Sequence, residues 1–237
     1  MRDWLDGLLA VLLAPTCAAC AVPLPHPTRG CVCTTCWQQV VLTTPPLCTR
    51  CGTHLAGPAG TTLCAACLRT DSPIAQARAI GPYGGALRDI VHALKYDARR
   101  SLARPLGALM RNAGAPLLEV SAAAVPVPLH PRRERTRGFN QAADLARHLQ
   151  LPVVSALVRV RPTDTQTALP ALQRHANVAG AFRATRHAAT LAGRSVVLVD
   201  DVRTTGATLD ACAAVLADAG VREVFALTAA RVESPAP

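Results

Sequence analysis

Four Cys-x-x-Cys pairs within the first 67 residues limit what this chain can fold into more than any other feature. Cys17-x-x-Cys20 is followed after twelve residues by Cys33-x-x-Cys36, and Cys48-x-x-Cys51 is followed after twelve residues by Cys64-x-x-Cys67. The second set is the first displaced by 31 positions, an internal duplication. Two residues between paired thiolates make a tight turn that aims both sulfurs at one point. Two such knuckles complete a tetrahedral four-thiolate site of the kind zinc prefers. A segment with so little core folds on the energy of its metal, so two structural zinc ions are expected. Sequential sharing joins Cys17, Cys20, Cys33 and Cys36 at one ion and Cys48, Cys51, Cys64 and Cys67 at the other. Only eleven residues separate Cys36 from Cys48, so a crossed arrangement stays open. Cys31 lies outside the repeat and reads as a spare thiol. His26 and His54 do not correspond under the shift and read as surface residues.

A disulfide framework would need an oxidising compartment. The opening stretch MRDWLDGLLAVLLAPTC does not supply the signal for one, because Asp3 and Asp6 stand where an export signal carries positive charge, and the apolar run Leu8–Leu13 is short. Trp4, Leu5, Leu8 and Leu12 fall instead at helical spacing. No stretch approaches the roughly 20 apolar residues of a membrane span. The expected location is the cytoplasm.

The chain has 237 residues, room for one ordinary domain and a small one. Half of it is hydrophobic but only 3% is aromatic, so the core must be built from Ala, Val and Leu. The formal charge of +10 comes almost wholly from arginine, and Lys95 is the single lysine. That balance suits phosphorylated ligands or a polyanion such as single-stranded DNA, without choosing between them.

After residue 69 the pattern changes. A connector over 70–80 leads into ALRDIVHALKY, where Leu87, Ile90, Val91 and Leu94 share a helical face. A second helix is expected over Leu102–Arg111, a strand within 122–129, and a helix in QAADLARHL. SVVLVD (195–200) is the clearest strand, apolar and β-branched as a buried parallel strand should be. TLDACAAVLADAG reads as a helix closed by Gly220, and EVFALTAARV as another strand. This alternation implies an α/β fold with a parallel sheet. Ligands of such sheets bind at the carboxyl ends of the strands.

The loop leaving SVVLVD therefore matters most. Asp200 and Asp201 emerge at the strand tip, and Thr204, Thr205, Gly206, Ala207 and Thr208 lead into the next helix. Helix-start N–H groups make an anion cradle, Gly206 permits close approach of a phosphate, and the threonines add donors. Carboxylates accept hydrogen bonds from a sugar diol. Vicinal hydroxyls with a phosphate one reach away describe ribose 5-phosphate. Neither a P-loop nor a G-x-G-x-x-G fingerprint is present. Upstream, VPVPLHPRRERTRGFNQA sets Arg132, Arg133, Arg135 and Arg137 just past a strand, where guanidinium groups suit diphosphate oxygens.

The string from Asp200 to Thr208 resembles the signature of type I phosphoribosyltransferases, which bind 5-phosphoribosyl-1-pyrophosphate (PRPP). With Arg137–Gln141 (RGFNQ), ALKYDARR, the cysteine-rich head and RPTDTQTALPALQRHANVAGAF, carrying Thr163, Gln166, Leu169, Arg174, Asn177 and Phe182, the chain resembles the ComF family. Members join a zinc ribbon to a phosphoribosyltransferase domain and are associated with competence, the uptake of external DNA. The resemblance implies a helix and double zinc ribbon over 1–69 and a phosphoribosyltransferase domain over 81–237. It gives Asp200 and Asp201 the ribose hydroxyls and the loop from Arg203 to Thr208 the 5′-phosphate. Arg132, Arg137 and Lys95 would contact PRPP. Mg²⁺ would accompany it, and Arg174, in a segment that closes as a lid, would compensate charge on departing pyrophosphate. Expected partners are PRPP or a related phosphoribosyl ligand, with single-stranded DNA or a helicase-like competence protein as further candidates. The readings from a different class are a non-catalytic DNA-processing accessory and a PRPP or nucleotide sensor.

Overall fold

The computed structural model describes residues 2–57, 60–161, 178 and 180–233. The head contains α1 (Arg2–Leu13), α2 (Thr34–Gln38) and α3 (Ala65–Arg69). There follow β1 (Ala77–Pro82), α4 (Gly85–Tyr96), α5 (Ala103–Glu119), β2 (Ala123–Pro126), α6 (Pro131–Arg137) and α7 (Gln141–Ala146). The chain then forms β3 (Leu157–Arg159), β4 (Phe182–Ala184), β5 (Ser195–Arg203), α8 (Ala207–Asp218) and β6 (Glu223–Arg231). No helix among the described residues is long and apolar enough to cross a membrane.

Four strands make a parallel sheet in the order β1-β6-β5-β2, and β3 pairs with β4 in a separate antiparallel ribbon. Alternation along β5 explains the layering. Val197 and Val199 join the core formed with Ile90, Leu94, Leu106, Met110 and Leu145 of α4, α5 and α7. Val196 and Leu198 take the opposite face, where they pack with Leu209, Cys212 and Leu216 of α8. A strand covered on both faces must be apolar throughout, which is why 196–199 is fully buried.

Several elements differ from the sequence expectation. The helix begun near Leu102 continues to Glu119, through Pro116. The apolar run 122–129 yields only a four-residue strand, and QAADLARHL a six-residue helix. The strand does not end at Asp200 but runs on to Arg203 and takes in Asp201, because β6 continues alongside: Asp200 pairs in register with Thr228 and Arg203 with Arg231.

The duplication is visible in the backbone. The bridge Thr16↔Pro23 recurs as Leu47↔His54, and α2 recurs as α3, each displaced by 31 positions. The two repeats dock differently. Leu24, Val32 and Val40 of the first enter the same core as Leu87 and Leu94. Cys48, Cys51 and Leu55 of the second form a small cluster of their own. That second repeat meets β1 through backbone, the Ala77 amide donating to Arg50 O at 2.7 Å.

Candidate functional site

The cysteines settle which knuckles belong together. The thiols of Cys17, Cys20, Cys33 and Cys36 lie within 4.8 Å of one another, as do those of Cys48, Cys51, Cys64 and Cys67. The thiols therefore group sequentially along the chain. In each cluster the first sulfur accepts backbone N–H groups. Cys17 Sγ takes Cys33 N at 3.3 Å and Ala19 N at 3.4 Å, and Cys48 Sγ takes Cys64 N at 3.4 Å and Cys51 N at 3.5 Å. Burial opposes ionisation of Cys17 and Cys48, but these amides outweigh it and bring both thiols down to about 6. Four convergent sulfurs held by amides are the donor set of a structural zinc site. Cys31 and both histidines stay outside the clusters: His26 Nδ1 faces Asp6 at 3.3 Å, and His54 Nδ1 lies 2.9 Å from Thr44 O.

The second site is a cleft of about 250 Å³ at the carboxyl end of the sheet. Among the predicted residues it brings together Lys95, Arg137, Asp200, Asp201, Arg203, Thr204, Gly206 and Thr208. Gly206 is the N-cap of α8 in the left-handed region, φ 90° and ψ −11°, a conformation glycine adopts without strain. Thr205 Oγ1 turns back to accept Ala207 N at 3.4 Å, and Ala207 is buried in the first turn of α8. Arg132 is exposed on α6 and does not line the cleft, whereas Arg133 does. Arg137 stacks over the Tyr96 ring at 5.3 Å and donates to Gln141 Oε1. Arg174, like Thr163, Gln166, Leu169 and Asn177, lies outside the described residues.

Two carboxylates at one strand end repel each other, and the surroundings treat them differently. Asp201 is 4% exposed, and its Oδ1 meets Lys95 Nζ at 3.0 Å. Its Oδ2 is buried with no hydrogen-bond partner among the described residues. Asp200 Oδ1 accepts the Asp201 amide at 2.9 Å. Burial, and then the neighbouring Asp201, push the Asp200 carboxyl up to about 7, against the pull of Lys95, the Asp201 amide and Arg159. The site thus holds one carboxylate pinned by a cation and one that titrates near neutrality.

Sequence reasoning missed Arg159. It is 7% exposed, stacks over Phe182 at 5.3 Å and lines the cleft. The signal was present in LVR: Leu157 and Arg159 turn inward while Val158 faces out, a strand alternation with an arginine on the inner face.

A double zinc ribbon domain model matches residues 8–76, and a phosphoribosyl transferase domain model matches residues 135–236. Fold and site together define a protein with a phosphoribosyltransferase-type domain behind a double zinc ribbon. The chain is 33% identical over 209 residues to Competence protein F of Haemophilus influenzae, covering 84% of this chain and 90% of that protein. It is 33% identical over 224 residues to DNA utilization protein YhgH of Escherichia coli, covering 88% and 93%. Competence protein ComFC of Bacillus subtilis is 36% identical over 96 residues, 40% of this chain and 38% of that protein. The chain belongs to the ComF family.

Proposed function

We propose that the cleft binds PRPP and that the protein is a cytoplasmic phosphoribosyltransferase serving DNA utilisation. The observation that carries the reading is the buried Oδ2 of Asp201, which has no hydrogen-bond partner among the described residues, beside Asp200 and in the same cleft as the left-handed Gly206 that opens α8. A buried carboxylate oxygen without a donor is costly, and a ligand hydroxyl would satisfy it. Asp200 and Asp201 would take the ribose diol, and the turn from Arg203 to Thr208 the 5′-phosphate. Arg133 and Arg137, which line the cleft as well, are cations suited to the diphosphate.

In the reaction an acceptor nitrogen forms a bond to the anomeric carbon as the bond to pyrophosphate breaks, and the pyrophosphate leaves with the electron pair. Asp200 and Asp201 hold the sugar while positive charge develops on it. Asp200 and Asp201 would hold a magnesium ion through their carboxylate oxygens, donors of the type it accepts, and the chemistry it would supply is neutralisation of the leaving pyrophosphate. Arg174 is proposed to act on the same pyrophosphate from the segment beyond β3.

A second reading, a DNA-processing accessory, is favoured by the exposed Arg132 and Arg135 of α6 and by the names of the relatives. The two separate by experiment. Zinc-loaded protein is screened for pyrophosphate release from PRPP with Mg²⁺ across nucleobases and nucleosides, and for binding of single-stranded DNA. A transferase releases pyrophosphate with one acceptor and loses that release in the Asp200→Asn/Asp201→Asn variant. An accessory releases none, and its salt-dependent DNA affinity survives in that variant.

A further inference from the structure

The two repeats of the head carry the same four-thiol chemistry, but among the described residues only the second reaches the turn that opens α8. Arg203, at the end of β5, sends Nη1 to the carbonyl oxygen of Cys51, a member of the second thiol cluster, at 3.5 Å. A second tether runs through the connector. Arg50, inside the Cys48–Cys51 knuckle, donates through Nη1 to Cys67 O and Thr70 O, both at 2.9 Å. Two residues on, Ser72 Oγ donates to Asp210 Oδ1 at 2.6 Å, and accepts the amide of the buried Ile74 at 3.2 Å.

Both tethers end over one residue. A Cβ placed on Gly206 would lie 3.2 Å from Arg203 Nε and 3.5 Å from Asp210 Oδ2. The first repeat has no such path among the described residues. Among the described residues its side-chain link to the sheet domain is Cys31 Sγ to Ser101 Oγ at 3.7 Å, beside the main-chain bond from Thr43 N to Ile80 O at 2.8 Å, and Ser101 lines a different cleft, with Arg100 and Asp144.

We infer that the second ribbon is a positioning element for the 203–208 turn: its folded knuckles hold Arg203 and, through Ser72, Asp210, and so set the turn that receives the phosphate. The consequence for affinity rests on the phosphoribosyl reading of the cleft, whereas the coupling itself rests on the two tethers. Neither Ser72 nor Asp210 lines the cleft, so both act at a distance from any ligand. Loss of metal from the second cluster would loosen the turn without any ligand contact being removed.

The test is amide hydrogen exchange across 203–208 in zinc-loaded, full-length protein, comparing the wild type with Ser72→Ala, Ser72→Thr and Ser101→Ala. Losing one such hydrogen bond should accelerate exchange in the turn by about fivefold in Ser72→Ala. Ser72→Thr, which keeps the hydroxyl, should restore the wild-type rate, and Ser101→Ala should leave it unchanged. Titration with PRPP and Mg²⁺ should show a parallel loss of affinity in Ser72→Ala only. If exchange accelerates while the wild type binds no PRPP, the ligand reading falls and the positioning role stands. Unchanged exchange in Ser72→Ala, equal acceleration in Ser101→Ala, or undiminished PRPP affinity in Ser72→Ala would each overturn the inference.

Discussion

Lys95 Nζ lies 3.0 Å from Asp201 Oδ1, and the only lysine of the chain is thereby held against the more buried member of the acidic pair. Their side chains are 17% and 6% exposed. Burial alone would lower the lysine pKa, but Asp201 and then Asp200 outweigh it and hold Lys95 charged.

Removing one partner of a buried pair leaves the other charge uncompensated. Lys95→Met should therefore cost about 3–5 kcal/mol in urea denaturation. The double variant Lys95→Met/Asp201→Asn should recover part of that loss, since it leaves no bare carboxylate at position 201. An unchanged midpoint in the single variant would mean that solvent reaches Asp201.

The raised pKa of Asp200 makes a prediction with a definite sign. Between the ordinary carboxylate value of 3.8 and about 7, the folded chain keeps a proton that the unfolded chain has released. This contribution to stability is complete below that window and is lost as pH rises through about 7. Asp200→Asn should therefore gain in melting temperature relative to wild type on going from about pH 5.5 to about pH 8. A difference of ~1 kcal/mol corresponds to ~2–4 °C for a chain of this size. A pH-independent difference between the two proteins would contradict the assignment.

The seam between head and sheet is backbone against backbone at Gly81. A Cβ there would lie 1.9 Å from Val41 O, next to the Thr43 amide that donates to Ile80 O at 2.8 Å. Main chain cannot yield as a side-chain end can. Gly81→Ala should cost about 3 kcal/mol, at the upper end of overpacking effects, measured by thermal unfolding.

The two thiol clusters should differ when broken. Cys36 belongs to the main core with Leu87 and Leu94, while Cys48 and Cys51 belong to a separate small cluster. Cys36→Ser should lower the cooperative melting of the whole chain. Cys67→Ser should release one metal equivalent with the main transition largely retained, as zinc release and calorimetry on the same samples would show.

How much of this was legible in the sequence follows from how local each cause is. The thiol sites were readable because ligand chemistry and spacing are local, yet their sequential grouping needed the folded knuckles. SVVLVD was readable because burial on both faces demands an unbroken apolar run. Its continuation from Asp201 to Arg203 was not, since pairing with β6 imposes it. ARAIGP gives no strand signal, with arginine, glycine and proline in six residues, and depends on β6 for its ladder. Lys95 stood out as the only lysine, but nothing local names Asp201, 106 positions on, as its partner. Arg159 was overlooked because a charged residue in a short strand is ordinarily solvated, and only the fold turns it inward.

The most direct measurement is isothermal titration of zinc-loaded protein with PRPP and Mg²⁺, alongside the Asp200→Asn/Asp201→Asn variant. The account predicts saturable binding by the wild type and its loss in a variant that remains folded. Absence of binding by well-folded wild-type protein, or equal binding by the variant, would contradict it.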